Sequence, residues 1–244
     1  MKKNRVFMFA AAVAALLLAA CDKEQQGYDS FILDIAGFSG ADGSKAYWND
    51  QGFWWENNTN PDGGDVVRIN GDVHNIYRDG SQWKTHAGAA TTPIDGNYYI
   101  AYAGDGDNTR GMGWDSGSKL YGPVTFDGSI VPLARSGSGN RMTLDPCCAV
   151  IKMAKDTYGE KISFDVVSGK ICSAGYIDPA NLCIVNGTAL TVSISPCSNN
   201  MDDGYDYYII PIEGNSVTCT ISTDWGSETS EPKTLRKGYV YVIN

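Results

Sequence analysis

Two histidines, His74 and His86, are all the imidazole this 244-residue chain has, and that scarcity sets the first limits on its chemistry. The sequence also lacks a Gly-x-Ser-x-Gly elbow, a His-Glu-x-x-His helix and a phosphate-binding glycine loop, so hydrolase and nucleotide-dependent mechanisms have no residues to stand on. No Cys-x-x-Cys or paired Cys/His spacing points to zinc. Asp105-Gly106-Asp107-Asn108-Thr109 offers hard oxygens, but Arg110 stands where a calcium loop needs its turn glycine, and no glutamate closes it. Ser136-Gly137-Ser138-Gly139 is a flexible stretch rather than a nucleophile's seat. The expectation is a protein without catalysis, metal or cofactor. Helical periodicity is missing as well: nowhere does an apolar 3.6-residue repeat persist for three turns.

Basic charge is short. Three of the 19 Lys+Arg (Lys2, Lys3 and Arg5) fall in the first twenty residues, so beyond them 16 basic residues face 28 acidic ones, a formal charge of −12. Such a chain repels phosphate backbones, and no basic aromatic stripe overrides that, which argues against nucleic acid as a partner.

What is there begins with those three cations. They precede fifteen apolar residues, Val6 to Ala20, and then Cys21. A positive start, an apolar middle and small residues before a cut are the layout of an export signal. Fifteen residues are too few to span a bilayer, which takes about 20 at 1.5 Å each. Leu18-Ala19-Ala20-Cys21 resembles the lipobox of bacterial lipoproteins, which implies that residues 1–20 are a signal peptide and that Cys21 carries the lipid (palmitate or a similar acyl chain) on the mature N-terminus. Residues 21–29 are polar and read as a tether. Asp22-Lys23-Glu24 resembles the export signal of surface lipoproteins in the Bacteroidetes group, which implies an outward-facing protein on the outer membrane.

The remaining chain reads as short alternating strands. Ser30–Phe38 places Phe31, Leu33 and Ile35 on one face. Asp65–Ile69, Asp72–Arg78 and Ser81–Thr85 form a meander turned at Asn70-Gly71 and Asp79-Gly80, because those pairs tolerate the positive φ of tight hairpins. Tyr98–Ala103 follows, then a long loop over 104–122 around Trp114. Val124–Phe126 and Ile130–Leu133 are expected to pair across Asp127-Gly128, and Ser136 to Asn140 is the most linker-like stretch. Beyond it, Cys148–Met153, Ile162–Val167, Leu182–Val185 turning at Asn186-Gly187 into Thr188–Ile194, Tyr207–Ile212, Val217–Ser222 and Tyr239–Ile243 complete the set. The pattern predicts an all-β protein, with a β-sandwich over 30–140 and a second over 141–244. Six cysteines lie in the second half, allowing fifteen full pairings; one or two bridges are expected, with the others as small buried apolar groups. Adjacent Cys147 and Cys148 should point to opposite faces.

The order of these pieces resembles the fimbrillin-like proteins of Bacteroidetes. Trp54-Trp55 followed by Gly64-Asp65-Val66-Val67-Arg68-Ile69, then Asn97-Tyr98-Tyr99-Ile100-Ala101-Tyr102, then Leu144 to Met153, and finally Tyr207-Tyr208-Ile209-Ile210-Pro211 with Gly238-Tyr239-Val240-Tyr241 carry the resemblance. It implies two tandem transthyretin-like, Ig-like Greek-key sandwiches in a lipid-anchored pilus subunit or accessory adhesin. Its implied partners are the outer membrane, other fimbrial subunits, and ligands on host or bacterial surfaces. In stalk subunits of that family a protease removes the first strand and a neighbour's strand fills the groove, which makes Phe31, Leu33 and Ile35 the candidate plug. Cleavage there usually follows an arginine. This chain has none between Arg5 and Arg68, leaving Lys45 as the candidate processing site, and Asn244 comes directly after the closing strand. These departures favour a tethered accessory or stand-alone surface protein. An alternative is a glycan-binding lipoprotein in which Trp54, Trp55 and Trp114 stack on sugar rings, weighed against the usual place of large aromatics in sandwich cores.

Overall fold

The computed structural model describes residues 27–37, 39–40, 58–104, 106–128, 131–155, 161–197, 204–226 and 231–243. In chain order the first-half strands are β1 (Ile32–Ile35), β2 (Ser39–Gly40), β3 (Val66–Ile69), β4 (Asp72–Asp79), β5 (Gln82–His86) and β6 (Tyr98–Tyr102). One helical turn and a half, α1 (Gly106–Gly111), precedes β7 (Trp114–Asp115), β8 (Leu120–Thr125), β9 (Leu133–Gly137) and β10 (Arg141–Pro146). The second half holds β11 (Cys148–Ala154), β12 (Ile162–Ser168), β13 (Cys172–Asp178), β14 (Cys183–Ala189), β15 (Tyr205–Pro211), β16 (Ser216–Thr223), β17 (Lys233–Arg236) and β18 (Tyr239–Ile243). Strand makes up 59% of the structure and helix 3%, so the protein is all-β.

Seven strands close on themselves in the order β1-β10-β9-β6-β3-β4-β5, forming a barrel. Three further sheets follow, ordered β15-β11-β18-β2, β12-β16-β17 and β14-β13-β8-β7. Two central strands explain how these layers share cores. In β6, Tyr98, Ile100 and Tyr102 join Phe31, Leu33 and Leu144 in a first core, while Ala101 and, just past the strand, Ala103 turn to Tyr121, Ile177 and Ile184 in another. In β11, Cys148 and Val150 enter the first core, and Ala149, Ile151 and Met153 pack on Ile210, Val217 and Leu235 behind. A strand buried on both faces needs apolar residues at every position, which is what Tyr98–Ala103 and Cys148–Ile151 supply.

The Asn70-Gly71 hairpin forms as expected: Asn70 and Gly71 hold φ of 49° and 93°, and β3 pairs antiparallel with β4 from Val66↔Asn75 to Ile69↔Asp72. Four expectations are corrected. The loop over 104–122 contains α1 and the β7–β8 hairpin. Val124–Phe126 does not pair with its neighbour across Asp127-Gly128; β8 pairs instead with β13, about fifty residues away, and β9 with β6 and β10. Ser136 and Gly137 end β9 and residues 138–140 turn into β10, so this stretch is no spacer and strands from the two sides of residue 140 interleave: β10 stays in the barrel. Asn186-Gly187 is no turn. β14 runs straight through it, with Asn186 at φ 51° and a register shift against β13, so the positive φ makes a bulge. Gly187 is needed there because an added Cβ would strike the Cys172 sulfur.

Among the described residues the six cysteines are all buried thiols, and the expected disulfides do not form. Cys147 and Cys148 do face opposite cores. Burial pushes the thiols up, to about 11 for Cys172 and Cys219 and further for Cys147 and Cys148, so they stay protonated near neutral pH and lack thiolate character.

Candidate functional site

The residues singled out in the first strand converge on one place, the seat of β1 in the barrel. Phe31 and Leu33 are completely buried and Ile35 partly so, matching the period of two in Phe-Ile-Leu-Asp-Ile. β1 is the piece that closes the barrel, lying parallel to β10 (Ile32↔Arg141 to Ile35↔Leu144) and antiparallel to β5 (Leu33↔Trp83). On one side Ile32 N–H donates to Asn140 O at 2.7 Å and Ala36 N–H to Leu144 O at 2.8 Å. On the other, Phe31 N–H donates to Thr85 Oγ1 at 3.0 Å, and Thr85 N–H returns a bond to Phe31 O at 2.9 Å. Taking β1 out would therefore expose two strand edges at once and open the pockets filled by Phe31 and Leu33.

The Phe31 pocket is aromatic. Its ring meets Tyr98 at 4.8 Å, His74 at 5.6 Å and Tyr28 at 5.8 Å between centroids, each near a right angle. Such edge-to-face contacts add about 0.5–1.5 kcal/mol each beyond the burial itself. Asp34, on the outward face, meets Arg141 at 3.2 Å, but both side chains are well exposed and the pair contributes little to holding the strand. Seating is thus an apolar and main-chain matter.

His74 is fully buried in this pocket, on the inward face of β4 that it shares with Ile76. Burial holds its imidazole down to about 4, with Asp72 pulling the other way. The alternation His74/Ile76 was the signal that would have turned it inward. His86 lies at the surface, 3.7 Å from an Asp62 oxygen.

Trp114 is half-buried. Its ring lies 4.4 Å from that of Tyr121 and 6.1 Å from that of Tyr99, and its edge sits over Gly71. Tyr121, wholly buried, accepts from Gly71 N–H at 3.0 Å and donates to Tyr99 O at 2.8 Å, and burial raises its phenol far above the ordinary value. The indole is therefore part of the clamp on the Asn70-Gly71 hairpin. Trp114→Ala is expected to cost about 2 kcal/mol, the lower part of the range for uncovering a large apolar side chain; a urea unfolding midpoint reads this, and an unchanged midpoint contradicts it.

The calcium-like run is also structural where it is described. Asp107 to Arg110 belong to α1, and the buried Thr109 hydroxyl donates to Gly104 O and accepts from Ala103 N–H. Among the described residues no three His, Cys, Asp or Glu side chains are grouped to hold a metal ion, and no helix is long and apolar enough to cross a membrane. Cys21, Lys45, Trp54 and Trp55 lie outside the described residues.

No family model and no curated protein matches the chain. Solved structures that it is similar to include three bacterial proteins bearing provisional cell-adhesion names. One from Bacteroides uniformis shares 12% identity over 86% of this chain and 90% of that chain, with a TM-score of 0.44. One from Bacteroides ovatus shares 10% identity over 88% and 91%, with a TM-score of 0.39. A third, from Bacteroides eggerthii, shares 11% identity over 88% and 85%, with a TM-score of 0.24.

Proposed function

We propose that this chain is a cell-surface lipoprotein, anchored to the outer membrane through Cys21, that acts in adhesion as a fimbrial subunit or accessory protein without catalysis. The observation that carries the reading is the seat of β1. A strand seated between two barrel strands, with Phe31 and Leu33 fully buried along it, is the geometry in which one chain can be replaced by another. Exposed ladder edges and vacated apolar pockets supply affinity and register together. The leader, Cys21 and the polar tether over residues 21–29 support a tethered protein outside the cytoplasm. In this reading the two sandwich domains correspond to the first core and to the core behind β11, with strands exchanged between them. The partners are other fimbrial subunits and ligands on host or bacterial surfaces.

The test is direct. Purified protein is added to candidate cells, and producing cells are imaged for polymer carrying the chain. Binding or polymer is expected. Neither binding to any surface nor any assembly on the producing cell would sink the adhesion reading.

A further inference from the structure

The approach to β1 and the ring of Phe31 both rest on the surroundings of His74. Nε2 of His74 lies 2.8 Å from Thr91 Oγ1, and Thr91 Oγ1 donates to Asp72 Oδ2 at 2.9 Å. With its only proton given to Asp72, the Thr91 hydroxyl can only accept from the imidazole, which assigns the neutral ring's proton to Nε2. Nδ1 is then a bare acceptor, buried and without a partner. Thr91 has a second attachment: its N–H donates to Tyr28 O at 2.8 Å, bridging to the segment that leads into β1. One threonine thus ties the imidazole to the approach of the strand, and the ring itself stands against Phe31.

We infer that His74 is a pH-sensitive latch on β1, and that a proton taken up at Nδ1 loosens the seat of Phe31 and favours the undocked strand. The proton comes from solvent. It creates a buried N–H with no acceptor and places a charge against the neutral ring of Phe31, which is itself packed on Tyr98 and Tyr28. Of the other groups around the imidazole, Asp72 on its own strand favours the proton and His86 on β5 opposes it. Its register partner on β3 is the uncharged Val67. Burial outweighs Asp72, so the docked imidazole titrates at about 4, against an ordinary value of 6.5 once the pocket opens to water. Between those values the docked state binds fewer protons than the undocked one. Docking is therefore at full strength above pH 6.5 and weakens as pH falls toward 4. Linkage makes the undocking equilibrium rise about 30-fold from pH 8 to pH 5. The latch concerns the strand in the free chain and does not depend on exchange with a partner.

Hydrogen exchange of the full chain from pH 8 to pH 5, corrected for the chemical rate, measures it. The expected result is a rise of about 30-fold in the opening constant across Phe31–Ile35, with Cys148–Ala154 keeping its protection, and a flat profile in His74→Phe. Because that variant could fail to fold, the wild-type imidazole is also followed by NMR, where His74 should stay neutral down to below pH 5. A flat wild-type profile, a rise shared equally by Cys148–Ala154, a pH dependence retained in His74→Phe, or a His74 ring titrating near 6.5 would each overturn the latch.

Discussion

Replacing Phe31 with alanine is expected to cost about 3–5 kcal/mol, and Leu33→Ala a similar amount, since each side chain is wholly buried and the barrel around it has little room to collapse. Summed loosely, because neighbouring sites need not add, the pair approaches the whole stability of a typical domain, about 5–15 kcal/mol. The double variant should lose β1 from the barrel before it loses the rest. The amides of Ile32 and Thr85 should exchange freely in a chain whose β11–β15 ladder still protects Val150 and Ile209. A synthetic peptide of the sequence Ser-Phe-Ile-Leu-Asp-Ile-Ala should then restore protection at Thr85, because the edges of β5 and β10 and the two pockets are what it would fill. Protection at Ile32 unchanged in the double variant would show that the strand is held by something other than its buried side chains.

The second large effect is expected at Gly71. Its φ of +93° costs a residue with a Cβ about 1–2 kcal/mol, and an added Cβ would come within 2.6 Å of the Trp114 ring. Overpacking of that kind adds about 1–3 kcal/mol, so Gly71→Ala should destabilise by about 2–5 kcal/mol. The two components separate in a double-mutant cycle. In a Trp114→Ala background the clash is gone, and Gly71→Ala should cost only the backbone part. Equal costs in both backgrounds, read as urea midpoints with unchanged slopes, would show that Trp114 does not bear on the hairpin.

Those two sites mark what could and could not be read in advance. The inward face of the first strand was legible because Phe31, Leu33 and Ile35 recur at a period of two, and the meander was legible because Asn70-Gly71 and Asp79-Gly80 carry their geometry locally. Asn186-Gly187 has the same composition but sits mid-strand, where β13 supplies a partner that turns the positive φ into a bulge. β13 itself, Cys-Ser-Ala-Gly-Tyr-Ile-Asp, has a central glycine and no alternation, so nothing local announces it. Its pairing with β8 spans about fifty residues, and the expected hairpin at Asp127-Gly128 gave way to that long-range contact. The buried thiols went the same way: six cysteines in one half suggest staples, yet the two-sided cores use them as small apolar groups. The relay from Asp72 through Thr91 to His74 was hidden because Thr91 comes from an isolated bridge to Tyr28, outside any named strand.

The seat of β1 brings packing, pairing and titration together in one place. Its side chains set the register, its two edges would offer a partner ladder positions, and His74 makes its docking depend on acidity. If the proposal of a tethered surface protein is right, the chain recovered from the outside of producing cells should have a defined beginning. Intact mass and N-terminal analysis of that material is the most direct measurement. The account predicts a chain that starts at an acylated Cys21 and retains Phe31, Leu33 and Ile35. A chain that keeps Met1 and an unmodified Cys21 would contradict it.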